Sequence, residues 1–249
     1  MRCACTEGLV ARAGEADASI PAYYECAFPN MIEDWRQGFA SPSLWFIGVQ
    51  LAPYILTAPG FAPLRQSQLS IFELGNTALV TAMDLGDALS PFSSVHPRAK
   101  QPVGARLAAN ALAQVYGKAL PHLSPRFLNA TGSVDGEFVT VSITFVQESV
   151  VDGLQLVPGA SCPISEGVPA SQCSGFVLEL SGPSGYLLVN ATVAISDGGK
   201  AVTLSAQAPT AGYVPVTTQS CYNSWPIATL YTQAGFPAFP WNAPVYPAA

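Results

Sequence analysis

The chain has 249 residues, of which 49% are apolar and only 10% charged, with a formal net charge of −6 and a pI near 4.8. That length suits one large domain or two modest ones, with ample material for a buried core. The acidic balance, with no run of Lys and Arg, makes nucleic acid and anionic membrane surfaces poor partners, because both are held by clustered cations.

Residues 1–19 are mixed and carry no periodic signal. From Ser19, a capping residue, the spacing predicts a helix with Pro21 in its first turn. Its apolar face is Tyr24, Phe28, Met31, Ile32 and Trp35, and Pro29 is expected to kink or split it. Residues 44–52 form an apolar run of strand length, as for a strand covered on both faces. Residues 59–74 read as a loop entering a helix, with Gly75-Asn76 as its C-cap. Residues 77–85 are a second buried strand. A helix follows over 102–116, buried through Val103, Leu107, Ala111, Leu112 and Val115 and stopped by Gly117. Helices alternating with strands mean parallel strands joined by crossovers, the α/β class.

Near residue 120 the character changes. Residues 138–145, 176–180, 186–195 and 201–207 are strand-like, separated by turn clusters such as Ser196-Asp197-Gly198-Gly199, and a Pro/aromatic tail runs over 225–249. Two regions are expected: an α/β part over 1–120 and an antiparallel β-sandwich-like accessory region over 121–249. Two strands fall short of the ~4–6 of an open sheet. The α/β part is therefore expected to be the carboxyl-terminal portion of a larger domain, with chain missing before residue 1.

The six cysteines, Cys3, Cys5, Cys26, Cys162, Cys173 and Cys221, include no C-x-x-C pair, and only two histidines are present. Neither a zinc site nor any other cofactor is expected. Cys162 and Cys173 flank a Pro/Ser/Gly-rich loop and suit a local disulfide. Asn129-Ala130-Thr131 and Asn190-Ala191-Thr192 are glycosylation sequons. Together these features point to an oxidising, secreted or luminal compartment, although the first residues hold no signal-peptide apolar run. No apolar stretch reaches the ~18 residues of a membrane span.

The candidate chemistry lies at 83–106, between the second strand and the third helix. In an α/β fold this is the rim where ligands bind, beyond the carboxyl end of a strand. His96 stands there among Asp84, Asp87, Ser90, Ser93 and Ser94, either as a general base or as a solvated loop histidine. His122 reads as structural. No G-x-S-x-G elbow, phosphate-binding glycine loop or paired-metal pattern occurs.

The run Ser90-Pro91-Phe92-Ser93-Ser94-Val95-His96-Pro97-Arg98-Ala99-Lys100-Gln101 follows Asp84-Leu85-Gly86-Asp87 and precedes Arg106-Leu107-Ala108. It resembles the histidine block of the sialate O-acetylesterases, serine esterases of the SGNH type. Asp34-Trp35-Arg36-Gln37, Val49-Gln50-Leu51-Ala52-Pro53-Tyr54 and Gly14-Glu15-Ala16-Asp17 are similar to family segments, as are Trp225-Pro226, Thr229-Leu230-Tyr231 and Gly235-Phe236-Pro237-Ala238-Phe239-Pro240. The resemblance implies a partial flavodoxin-like SGNH hydrolase domain followed by a β-sandwich-like region. The implied activity is removal of O-acetyl groups from sialic acids or related sugars, without a cofactor, in secretory or lysosomal spaces.

By the same resemblance His96 is the catalytic base, Asp87 (or Asp84) its orienting carboxylate, and Gly14 and Glu15 line the substrate. The SGNH carboxylate three residues before the histidine falls on Ser93, so a dyad is the other arrangement. The family's oxyanion glutamine falls on Ala13, which has no donor; losing one such donor costs about 10²–10³-fold in rate. No residue corresponds to the nucleophilic serine of the Gly-Gln-Ser-Asn block. The implied outcomes are a truncated, weakly active or inactive esterase or, alternatively, a non-catalytic carbohydrate-binding or interaction protein of this family. Arg65 reads as solvated on a helix face or as reaching a sialic carboxylate.

Overall fold

The computed structural model describes residues 14–55, 60–158 and 161–248. Cys3, Cys5, Ala13 and Pro59 lie outside the described residues. The chain divides into two compact units, Met1–His122 with Ser165–Gly167, and Leu123–Ile164 with Val168–Ala249. It is an α/β protein with a parallel strand pair in the first unit and largely antiparallel sheets in the second.

In the first unit, α1 (Pro21–Gly38) opens with proline in its first turn; its N-cap is Ile20, not Ser19. Pro29 sits inside it without splitting it, at the loss of one main-chain donor. Tyr24, Phe28, Met31 and Ile32 are buried as the spacing predicts, but Trp35 is 47% exposed and Arg36 takes the buried place at the end of the face. The reason is nonlocal. Nε of Arg36 donates to the Leu44 carbonyl at 3.1 Å, and Nη2 donates to those of Gly75 (2.7 Å) and Asn76 (3.0 Å), on the two segments entering the strands.

Strands β1 (Phe46–Gln50) and β2 (Thr77–Thr81) pair in parallel with Gln50 opposite Thr81. Between them α2 (Phe61–Ser67) runs on into a 3-10 turn, Gln68–Glu73. A side chain at Gly60 would put Cβ 2.2 Å from the Ala18 carbonyl oxygen, so glycine lets the chain entering α2 pass against that backbone. Helix α3 (Gln101–Gln114) departs from expectation: Leu112 and Val115 are 42% and 46% exposed, and its only buried residue is Asn110. That amide donates to the carbonyls of Arg106 and His122. The His122 ring is held by the Leu120 carbonyl (2.9 Å) and by Gln114 (3.0 Å), which fixes a proton on Nδ1 and leaves Nε2 as acceptor.

The second unit holds β3 (Phe127–Asp135), β4 (Phe138–Phe145), β5 (Leu154–Leu156), β6 (Cys173–Ser174), β7 (Phe176–Gly182), β8 (Gly185–Asn190), β9 (Thr192–Ser196), β10 (Ala201–Gln207), β11 (Val214–Ser220), β12 (Trp225–Pro226), β13 (Leu230–Thr232), β14 (Trp241–Pro244) and β15 (Tyr246–Pro247). A five-stranded sheet has the order β15-β3-β4-β10-β9 and a four-stranded one β14-β11-β7-β8, while β5 pairs with β13 and β6 with β12. Pairing is antiparallel except for β15–β3 and β12–β6. Val139, Val141, Ile143, Val202 and Leu204 of the first sheet and Phe176, Leu178 and Leu180 of the second share one core.

The strand-like run over 186–195 is two strands, β8 and β9, in different sheets. Strands β3 and β11 were not legible as strands, and the Pro/aromatic tail is folded. Its Trp241 is 1% exposed, with ring centroids 5.6, 5.8 and 6.0 Å from those of Phe127, Phe145 and Phe176.

Cys162 and Cys173 form the expected disulfide, with Cα atoms 5.7 Å apart and eleven residues of separation. Replacing both by serine is expected to cost about 2–3 kcal/mol through the freedom returned to the unfolded chain. Urea unfolding of the double variant checks this; an unchanged midpoint contradicts it.

Candidate active-site rim

The loops after Gln50 and Thr81 leave from the same edge of the parallel pair, with the Ala82 N–H on the Gln50 carbonyl at 3.1 Å. The chain turns at once after β2: Met83 N–H donates to Thr81 Oγ1, and Leu85 N–H to the Ala82 carbonyl. Asp84 receives a two-pronged contact from Arg106 Nη1 (2.7 Å) and Nη2 (2.6 Å), and Arg106 Nη1 also donates to the Thr81 carbonyl. Both side chains are about nine-tenths buried. Helix α3 is thereby tied to the end of β2.

The histidine loop is closed by its own serines. Ser90 Oγ donates to the His96 carbonyl (2.6 Å) and accepts from Phe92 N–H, while His96 N–H donates to the Ser93 carbonyl (2.9 Å). Ser93 has φ +75°, a left-handed conformation uncommon for serine and a sign of a constrained turn. Ser94 is buried and its Oγ accepts Ile55 N–H at 3.3 Å, joining this loop to the one after β1. His96 is exposed, and no hydrogen bond to its ring is found among the described residues. Leu89 and Phe92, 63% and 69% exposed, stand out on the same loop.

Asp87 makes its hydrogen bonds to Arg98, and among the described residues none joins it to the His96 ring. Its carboxylate takes the Arg98 main-chain N–H (3.1 Å), Nε (2.6 Å) and Nη2 (2.9 Å). The Arg98 guanidinium holds the Asp87 carboxyl below its ordinary 3.8, and the carboxylate in turn raises Arg98. The contribution of this tie is fully present above pH 3.8 and is lost as pH falls through the depressed value.

Gly14 is buried, with φ 107° and ψ −141°, a conformation glycine alone adopts readily; Glu15 is exposed. The position of a Cβ on Gly14 lies 3.8 Å from Leu51 Cδ2, so this turn borders the end of β1. Behind it stand Asp17 and Tyr24, both buried. The Tyr24 hydroxyl is pushed up to about 12, chiefly by burial; a bond to Gln68 works against this, and the Asp17 and Glu15 charges add to it. Above pH ~10 the unfolded chain loses a phenol proton that the folded chain keeps, so stability falls as pH rises from ~10 towards 12. Tyr24→Phe is expected to flatten that decline in alkaline unfolding curves; an equally steep decline would place its origin elsewhere.

Arg65 is not solvated: it is 0% exposed, and its Nε and Nη2 donate to the carbonyls of Leu51 (2.8 Å) and Ala52 (2.9 Å). The buried hydrogen-bonding roles of Gln50, Gln68 and Ser94 were likewise not legible in the sequence. The available signal was Arg65 and Gln68 lying on the stripe of Phe61, Leu64 and Ile71, polar residues at apolar-face spacing.

No protein-family model matches the chain. It is 39% identical over 129 residues to the sialate O-acetylesterase of Mus musculus, covering 45% of this chain and 24% of that protein. The sialate O-acetylesterase of Homo sapiens is 36% identical over 129 residues, with 45% and 25% covered. The chain thus spans about a quarter of the length of the curated relatives it matches. In structure it is similar to a carbohydrate acetylesterase from Xanthomonas citri, with a TM-score of 0.73 and 26% identity over 92% of this chain and 48% of that one.

Proposed function

We propose that the chain belongs to the sialate O-acetylesterase family, to which its similarity points, and that it carries the histidine side of an acetyl-ester hydrolase site, with His96 as general base. The observation that supports this best is an exposed imidazole, on a loop closed by its own hydrogen bonds, at the carboxyl end of a parallel strand. In such a site the histidine takes the proton of a serine hydroxyl as that oxygen attacks the acetyl carbonyl. It then returns the proton to the departing sugar hydroxyl, and water repeats the sequence on the acyl-enzyme.

Gly14 and Glu15 border the acetyl group in this reading. Asp87 acts at one remove, holding the loop through Arg98 rather than orienting the ring, so His96 works as a dyad with the serine. That serine is not in a Gly-Gln-Ser-Asn block of these 249 residues. The substrate class is an O-acetylated sialic acid or a related acetylated sugar. The finer architecture follows the family: a flavodoxin-like SGNH portion up to about residue 120, then a β-sandwich. The compartment is secretory or lysosomal, with exposed Asn129 and Asn190 as glycan acceptors.

The test compares the 249-residue chain with a fusion that supplies, ahead of it, the segment of the mouse relative preceding the matched region. The chain alone is expected to hydrolyse p-nitrophenyl acetate at the background rate. The fusion is expected to hydrolyse it and to be silenced by a serine-reactive phosphonate. A folded but inert fusion defeats the esterase reading. The alternative, a non-catalytic carbohydrate-binding member, would in that case retain acetylated glycan without turnover.

A further inference from the structure

We propose that Arg65 is a positioning residue for His96, a buried guanidinium that clamps the chain leaving β1 and, through Ile55 and Ser94, the loop that carries the histidine. This deepens the esterase reading and rests on it for its functional meaning. Full burial of a cation costs several kcal/mol. At Arg65 the cost is offset by the carbonyls of Leu51 and Ala52 and by the Phe61 ring, whose centroid is 5.7 Å from Cζ. Those two carbonyls lie just past the strand, where main-chain groups ordinarily turn to water and the chain is loose.

The other side of the same segment is held by Gln68, 2% exposed. Its Oε1 accepts Leu51 N–H at 3.0 Å and its Nε2 donates to the Val49 carbonyl at 3.3 Å. Gln50 Nε2 returns a bond to the Arg65 carbonyl at 2.9 Å. One helical stretch therefore binds the main chain of Val49, Leu51 and Ala52 and the side chain of Gln50. An apolar residue at position 65 would fill the core without a desolvation cost, so what the guanidinium adds is fixed geometry at the strand exit.

The clamp reaches the histidine in two steps. Tyr54 packs on Phe61 with ring centroids 5.1 Å apart, and Ile55 N–H donates to Ser94 Oγ, two residues before His96.

The chain's two histidines make this testable without turnover. In nitrogen-15 imidazole spectra of the full chain, the His122 ring is an internal reference, being tied to Leu120 and Gln114. Arg65→Lys keeps the charge but loses the fork, and Ser94→Ala cuts the far link. Each is expected to displace or broaden the His96 resonances and leave His122 in place, and the double variant is expected to add little to the larger single effect. The Ile55 amide should exchange about fivefold faster in Ser94→Ala, as for one lost hydrogen bond, while the Val80 amide in β2 keeps its protection.

An undisturbed His96 in folded Arg65→Lys, or equal movement of both histidines, would reduce Arg65 to packing. Should Arg65→Lys not fold, an undisturbed His96 in Ser94→Ala overturns the proposal alone. In the active fusion, Arg65→Lys should lower kcat with KM unchanged. An inactive parent fusion sinks the esterase reading but not the clamp, because the spectra need no turnover.

Discussion

His96→Ala is expected to lower acetyl-ester turnover by about 10²–10⁴-fold in the fusion that supplies the upstream segment, with the fold left intact as circular dichroism would check. The magnitude follows from what is removed. Without a base within reach, the serine hydroxyl must lose its proton to water as it attacks, and the leaving sugar oxygen has no donor. In the unfused 249-residue chain the same substitution changes nothing, since the rate there is already background. Asp87→Asn should cost far less than His96→Ala, because that carboxylate is bound to Arg98 and touches the ring through no hydrogen bond.

Ser93→Asp sharpens the test. It places a carboxylate three residues before the histidine, and aspartate tolerates the positive φ at that position better than most residues. A dyad should gain rate from it. A rate unchanged by His96→Ala would return the histidine to a loop role. A loss from Asp87→Asn as large as that from His96→Ala would restore Asp87 as the orienting group.

Asp84→Leu is expected to destabilise the first unit by about 3–5 kcal/mol, the cost of leaving one member of a buried pair without its counter-charge. Arg106 would remain about nine-tenths buried, with the Thr81 carbonyl but no carboxylate. The Asp84→Leu, Arg106→Leu double variant removes both charges and should recover most of the loss, since apolar side chains of similar volume fill such sites without desolvation cost. Urea unfolding followed through Trp35 and Trp45 fluorescence reads the difference. A single variant within 1 kcal/mol of the parent would mean that the pair is solvated in solution. The pair also bears on function, because it joins the start of the histidine loop to α3. Fusion activity should fall in the single variant even below its unfolding midpoint.

Several features of this protein are properties of local sequence. The apolar runs over 44–52 and 77–85 and the amphipathic pattern from Pro21 specify two strands and a packed helix, because periodicity depends only on neighbours along the chain; β2 is buried as read, but β1 is not covered on both faces, Val49 being 38% exposed. The disulfide follows from two cysteines that bracket a short loop. The histidine block is a contiguous motif, and together with the other blocks in the same order it carries the resemblance to the sialate O-acetylesterases.

Tertiary structure decided the rest, chiefly the fate of polar groups. Arg36 is buried and Trp35 exposed because carbonyls of Leu44, Gly75 and Asn76 converge on one position of α1. Arg65 is in the core because the chain leaving β1 presents two carbonyls to α2, and Asp87 faces Arg98 rather than His96 because the loop folds back eleven residues later. Trp241, read as tail, fills the core of the second unit because three phenylalanines from separate strands meet there. Periodicity reports how apolar a position is. Whether a charge can be buried there depends on which acceptors the folded chain brings opposite it, and those come from residues distant in sequence.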